Sequence, residues 1–118
     1  MFQNALAKIV DGCEGAQAAV LMGFDGIPVA HHPRQAADEK FEALTTELCA
    51  VLSHARKVAG ILSVGDLTEV AIRAESVTFI ARVITDEYFI GLTLEPDGNL
   101  GKGRYLVRMA APEICAQL

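Results

Sequence analysis

The chain has 118 residues, 52% of them hydrophobic, and a formal net charge of −5 at pH 7. That length and composition describe one globular domain, residues 1–118, with enough volume for a real core, and they exclude a disordered chain. The acidic balance, with no basic run, argues against nucleic acid as a partner, and no apolar run approaches the ~20 residues of a membrane span, so no membrane insertion is expected.

The opening MFQNALAKIVDGCEG has no basic n-region and carries Asp11 and Glu14, so it does not read as a signal peptide. A cytoplasmic chain with reduced thiols is expected. Cys13, Cys49 and Cys115 are odd in number and widely spaced, which suits neither a disulfide framework nor a zinc motif; they are expected to be small buried residues.

Phe2, Leu6, Ile9 and Cys13 recur at helical spacing and predict a short amphipathic first helix, ended by Gly12 and Gly15. AQAAVLMGF is apolar on both parities, as a strand covered on both faces would be. Asp25-Gly26 signals a tight hairpin, and the return strand IPVAHH contains Pro28, which cannot donate to a ladder and so marks a sheet edge. HPRQAAD breaks the pattern, with Asp38 as a candidate N-cap for a long second helix running to about Ala59. Its apolar stripe is Phe41, Leu44, Leu48, Leu52, Ala55 and Ala59, with Gly60 as the stop.

The opposite face of that helix carries Ala43, Thr46, Ala50 and Ser53, with Glu47, His54 and Lys57 beside them. Small residues there suit either an alanine-rich solvated helix or close approach by another helix; the second reading is preferred, because a face turned only to water usually carries long charged side chains. Three strands follow as a meander: LTEVAIRA, SVTFIARVI and EYFIGLTL. The last two are apolar nearly throughout, so helices must cover both faces of the sheet. The strand from Leu67 to Ala74 is expected at the second edge. It holds no proline, and an unblocked edge invites pairing with another chain.

PDGNLGKGRY, residues 96–105, then raises the question of a phosphate loop. A P-loop needs G-x-x-x-x-G-K-[ST]. Pro96 stands where the first glycine belongs and Gly103 where the hydroxyl belongs, so the motif fails. The stretch is read as structural. Pro96, Asp97 and Gly98 turn the chain, Asn99 caps the last helix, and Gly101 and Gly103 give a close-packed entry. Lys102 and Arg104 fall in the first turn, where the helix dipole disfavours cations, so acidic partners such as Glu95 or Asp97, or another protein, are expected for them. Pro112 is expected to kink or restart the helix near residue 111.

No residue set assembles a catalytic or metal constellation. His31 and His32 are neighbours in a strand and point to opposite faces. Cys49 and His54 are separated by about 140° on one helix. No cofactor is expected, and the domain is read as one that binds rather than reacts.

Three stretches, in order, carry a resemblance to a known family: GFDGIPVA (Gly23 to Ala30), VAGILSVGDLTEVAIRAE, and TDEYFIGLTLEPDGNLGKGRYLVRMAAPEI. Together they cover nearly the whole chain and resemble the roadblock / dynein light-chain family, specifically its bacterial MglB-like branch. The resemblance implies an α+β fold, a five-stranded antiparallel sheet with helices on both faces in the order helix, two strands, helix, three strands, helix. It implies a homodimer with a shared ten-stranded sheet and paired second helices, acting as a non-catalytic regulator or scaffold of a small Ras-like (MglA-type) GTPase. Members of that branch can promote their partner's GTP hydrolysis; an indirect route, through the GTPase's own switch loops, is preferred here to an arginine finger. The expected interface is Ala43, Thr46, Glu47, Ala50, Ser53, His54 and Lys57 of the second helix with Leu67, Glu69, Ala71 and Arg73 of the open edge. The competing expectation is a ligand-sensing domain of profilin- or PAS-like shape, for which Arg82 would be the inward polar anchor.

Overall fold

The computed structural model describes residues 2–33 and 39–118, apart from the side chains of 39–42. Helix α1 (Phe2–Gly12) leads into strands β1 (Ala16–Gly23) and β2 (Pro28–His32). Helix α2 (Glu39–Leu62) then crosses to strands β3 (Glu69–Arg73), β4 (Thr78–Val83) and β5 (Tyr88–Leu94), and helix α3 (Leu100–Cys115) closes the chain. The strands form one sheet in the order β2-β1-β5-β4-β3, with every neighbouring pair antiparallel. This is the α+β arrangement that the element order predicts, and the two expected edges, the proline strand β2 and the meander's first strand β3, are its edges.

The alternation of side chains along each strand divides the core into two layers. On one face Leu6 and Ile9 of α1 and Val107 and Ile114 of α3 pack against Leu21, Ile80, Ile90 and Leu92. On the other, Leu48, Cys49 and Leu52 of α2 pack against Val20, Met22, Ala81 and Phe89. Strands β1 and β5 lie in the middle and are covered on both sides: Ala18–Gly23 is buried without interruption, which is why β1 reads as apolar on both parities. Each fully buried Leu or Phe contributes about 1.5–3 kcal/mol, and Leu6, Leu21, Leu52, Ile90 and Phe89 all have no exposed surface. Burial fades toward the β3 edge, where no residue of the strand is buried.

The hairpin forms as Asp25-Gly26 predicts: Gly26 takes φ +88°, the Gly26 N–H donates to the Gly23 carbonyl at 3.0 Å, and the Asp25 carboxylate accepts from the Ile27 N–H at 3.0 Å. The PDGN turn is tied back to the end of α1. The Glu95 N–H donates to the Gly15 carbonyl at 2.8 Å and the Asn99 N–H to the Glu14 carbonyl at 2.9 Å. Asn99 then caps α3 by accepting from the Lys102 N–H at 3.0 Å. Gly103 is buried, and a Cβ there would lie 3.0 Å from Leu92 Cδ2, so the glycine lets α3 sit close on the sheet. Gly101, by contrast, is exposed and packs against nothing beyond Asn99.

Four expectations are corrected. Helix α2 does not stop at Gly60 but continues to Leu62, and the reversal is made by Ser63 at φ 53° and Gly65 at φ +93°; a single helical glycine costs only about 1 kcal/mol, which neighbours offset. Helix α3 does not restart at Pro112. The helix continues through the proline to Cys115, and the Pro112 carbonyl accepts from the Ala116 N–H at 3.0 Å. Cys115 is exposed, unlike buried Cys13 and Cys49. Arg104 pairs neither with Glu95 nor with Asp97: its Nε donates to Glu69 Oε2, on β3, at 2.8 Å. The proposed Asp38 cap and the packing of Phe41 lie outside the described residues.

Candidate protein interface

Helix α2 is held to the sheet by three kinds of contact. Leu48 and Leu52 supply apolar burial. The Cys49 thiol donates to the Phe24 carbonyl at 3.2 Å. About two turns further along, the Arg56 guanidinium stacks on the Phe24 ring at 4.0 Å, and Phe24 in turn meets Phe89 at 5.1 Å between centroids. These contacts fix the rotation of the helix, and with it the face left over for other molecules.

That face contains every α2 residue expected at the interface. Ala43, Thr46, Glu47, Ala50, Ser53, His54 and Lys57 are all exposed. The β3 candidates divide. Ala71 and Arg73 are exposed. Leu67 precedes the strand and packs, half-buried, beside Val70 on the α2-side core. Glu69 is half-buried and already engaged with Arg104. Because Glu69 pairs with Arg82 and Ala71 with Ile80 in register, Glu69, Ala71 and Arg73 stand on the α1/α3 face, while Val70 and Ile72 stand on the α2 face.

Sequence reasoning missed a second feature of α2. Val51 is 41% exposed, Val58 40%, Ile61 75% and Leu62 63%, and Val64 follows at 72%. The signal was legible in the seven-residue recurrence of Leu44, Val51 and Val58, but the small residues drew the reading instead. At 100° per residue, Val51 and Val58 lie about 140–180° around the helix from Arg56 and Gly60. Arg56 and Gly60 border a surface depression with Leu67 and Val83, beside the β3 end of the sheet. The valine flank therefore points away from β3, and the polar, small-residue flank points toward it.

The remaining candidates do not assemble chemistry. His32 Nε2 lies 3.9 Å from Asp11, and His31 Nδ1 lies 3.3 Å from the Pro33 carbonyl. The Cys13 thiol donates to the Asn99 carbonyl at 3.3 Å. Its pKa is raised, chiefly by burial; Lys102 opposes the rise and Glu14 adds to it. Arg82 is half-buried and lines a recess at the surface between β4 and α3, not an internal cavity. Among the described residues no three His, Cys, Asp or Glu side chains are placed to hold a metal, and no helix is long and apolar enough to cross a membrane.

Comparison with known proteins gives relatives among solved structures. MglC from Myxococcus xanthus is 36% identical, with a TM-score of 0.69 over 98% of this chain and 97% of its own. The Roadblock/LC7 domain from Streptomyces avermitilis is 16% identical, with a TM-score of 0.85 over 98% and 95%. The gliding protein MglB from Thermus thermophilus is 18% identical, with a TM-score of 0.79 over 92% and 81%. Sequence kinship and backbone agreement thus rank the three differently. No protein-family model and no curated protein matches the chain.

Proposed function

The chain belongs to the roadblock family, in its MglB-like branch, and on that premise we propose that it is a homodimeric, non-catalytic regulator or scaffold of a small Ras-like GTPase. Two copies join through their β3 edges into a ten-stranded sheet, with their α2 helices side by side on one face. The GTPase docks on that helical platform.

The observation that carries this reading is the β3 edge itself. It has no proline, its outer side has no strand neighbour among the described residues, and it adjoins the small-residue flank of α2. Its sequence, EVAIR, is also self-complementary. An antiparallel pair with its twofold axis through Ala71 sets Glu69 of one copy opposite Arg73 of the other, and Val70 opposite Ile72. Opposite charges and apolar pairs directly across a ladder each contribute roughly 0.2–1 kcal/mol. Shifting the axis to Val70 or Ile72 loses both charge pairs, so the register through Ala71 is the favoured one.

The arginines support an indirect effect on hydrolysis. A finger inserted in trans must be free to reach the transferred phosphate. Arg104 is held by Glu69 and Arg56 by the Phe24 ring, while Arg73 and Arg82 stand on the sheet face away from α2 and Arg108 on α3; none of these is free on the α2 platform, which favours an action through the GTPase's own switch loops. The ligand-sensor alternative draws less support, because its anchor Arg82 opens onto surface and both core layers are filled by packed apolar side chains.

The test is to mix the protein with a small Ras-like GTPase from the same organism, loaded with GDP or a non-hydrolysable GTP analogue. Co-elution and GTP turnover are then followed. A nucleotide-dependent complex is expected; absence of a complex in both states refutes the proposal.

A further inference from the structure

Arginines converge on the α3 side of the sheet, away from the face assigned to α2 and the GTPase. Arg82 opposes Glu69 on one side and Ile90 on the other, so it shares the face of Ile80 and Ile90 that α3 covers. Arg104 and Arg108 are one turn apart on α3 and project to the same side. Arg104 is spent on Glu69 at 2.8 Å. Arg82 and Arg108 are not: they line a recess of about 390 Å³ whose other walls are Val83, Ile84, Ala111, Pro112 and Cys115. Among the described residues no carboxylate lies within 4.0 Å of either guanidinium, and Arg108 has only the Tyr105 ring nearby, at 6.0 Å.

Two further properties of the recess bear on what fills it. It offers two forked cations and an apolar wall together. The local charge is also opposite to that of the whole chain. Arg82, Arg104 and Arg108 against Glu69 sum to +2, so with a total of −5 the rest of the chain carries −7.

We propose that this recess docks a short acidic segment of a partner protein. Its carboxylates take the Arg82 and Arg108 forks, and an apolar side chain lies against Ile84 and Pro112. Guanidinium forks match carboxylates in bidentate geometry, which favours this occupant. A long polyanion or an anionic bilayer would also meet the −7 of the surrounding surface, whereas a segment of a few residues need touch only the recess. The inference requires neither β3 pairing nor GTPase binding, since Arg82, Ile84, Arg108 and Pro112 belong to one chain and Arg82 stands on the sheet face away from α2.

The experiment is fluorescence anisotropy at low and high salt with a labelled twelve-residue peptide of Glu, Asp, Leu and Ala, beside its Gln/Asn counterpart. The acidic peptide should bind at least about tenfold tighter than the neutral one, and high salt should weaken it. The double variant R82E/R108E should lose about tenfold or more, and the milder R82Q/R108Q, checked for an unchanged melting temperature, should lose most of the binding. Lys8→Glu, a single charge reversal on α1, should retain it, and R82E or R108E alone, matched to it in charge, should each weaken binding. Equal binding of the two peptides, or an unaffected R82Q/R108Q, overturns the proposal. So does tighter binding of a 20-base-pair duplex or of phosphatidylserine vesicles at the same salt, which would assign the patch to nucleic acid or membrane.

Discussion

Gly15 and Gly26 form a matched pair on which the packing of the molecule can be measured. Both take positive φ, +85° and +88°. Alanine at either position pays the left-handed penalty of about 1–2 kcal/mol, partly offset by the reduced freedom of the unfolded chain. At Gly26 nothing lies within 4 Å of the new Cβ, so Gly26→Ala should cost about 1 kcal/mol. At Gly15 the Cβ would stand 2.5 Å from the Cα of Gly98, a backbone atom that cannot turn aside. The PDGN turn must retreat. That endangers the Glu95-to-Gly15 and Asn99-to-Glu14 hydrogen bonds, each worth about 1 kcal/mol, and loosens the cap of α3. Gly15→Ala should therefore cost about 3–4 kcal/mol. Urea titration of both variants, with unchanged m-values, reads the difference directly. A gap of about 2–3 kcal/mol is expected. A gap below about 0.5 kcal/mol would refute the claim that the contact between the α1 exit and the PDGN turn is tight.

Other expectations concern the surface. Ala50→Arg places a long cation on the exposed α2 face; stability should change by less than about 0.5 kcal/mol, while light scattering or GTPase pull-down should show weakened association, and unchanged values in both would mean the face is merely solvated. Arg104→Ala removes an ion pair whose side chains are 45% and 21% exposed, so it should cost no more than about 1 kcal/mol, with the loss shrinking in high salt. Alkylation at pH 8 should modify Cys115 first and Cys13 last, read by mass spectrometry of peptides. The raised pKa of Cys13 means the folded state holds that proton longer than the unfolded state. Its effect on stability is nil below the ordinary thiol range and unfavourable as pH rises through it, so a pH titration of stability should fall there, and Cys13→Ser should lessen the fall.

Much of the fold was written in local chemistry. Asp25-Gly26 specified its turn, Asn99 its cap, and Pro28 its edge, because each acts within a few residues. Apolar parity marked β1, β4 and β5 as covered on both faces, which holds for β1 and β5, whereas half of β4 is only partly buried. Less legible were features set by contacts between distant segments. Arg104 meets Glu69 across 35 positions, and nothing nearby in sequence pairs them. The end of α2 was placed early because a glycine costs a helix only about 1 kcal/mol, and the positive φ that reverses the chain is taken by Ser63 and Gly65 instead of Gly60. Cysteine is buried on average, yet Cys115 falls in the last turn of α3, where it borders an open surface recess. At the candidate interface, composition marked the small face of α2 but not the valine flank beside it. Telling the two apart required the rotation that Phe24, Arg56 and Cys49 impose.

The account rests most on β3 pairing with its own copy about Ala71, and one cross-linking measurement tests it. Residues facing each other in an antiparallel pair have Cα atoms roughly 4.5–5.5 Å apart, within disulfide reach. Ala71→Cys in a Cys115→Ser background, mildly oxidised at low concentration, should run as a disulfide-linked dimer on a non-reducing gel, while Ala116→Cys in the same background stays monomeric. A free thiol and a monomer band at Ala71→Cys would contradict the account.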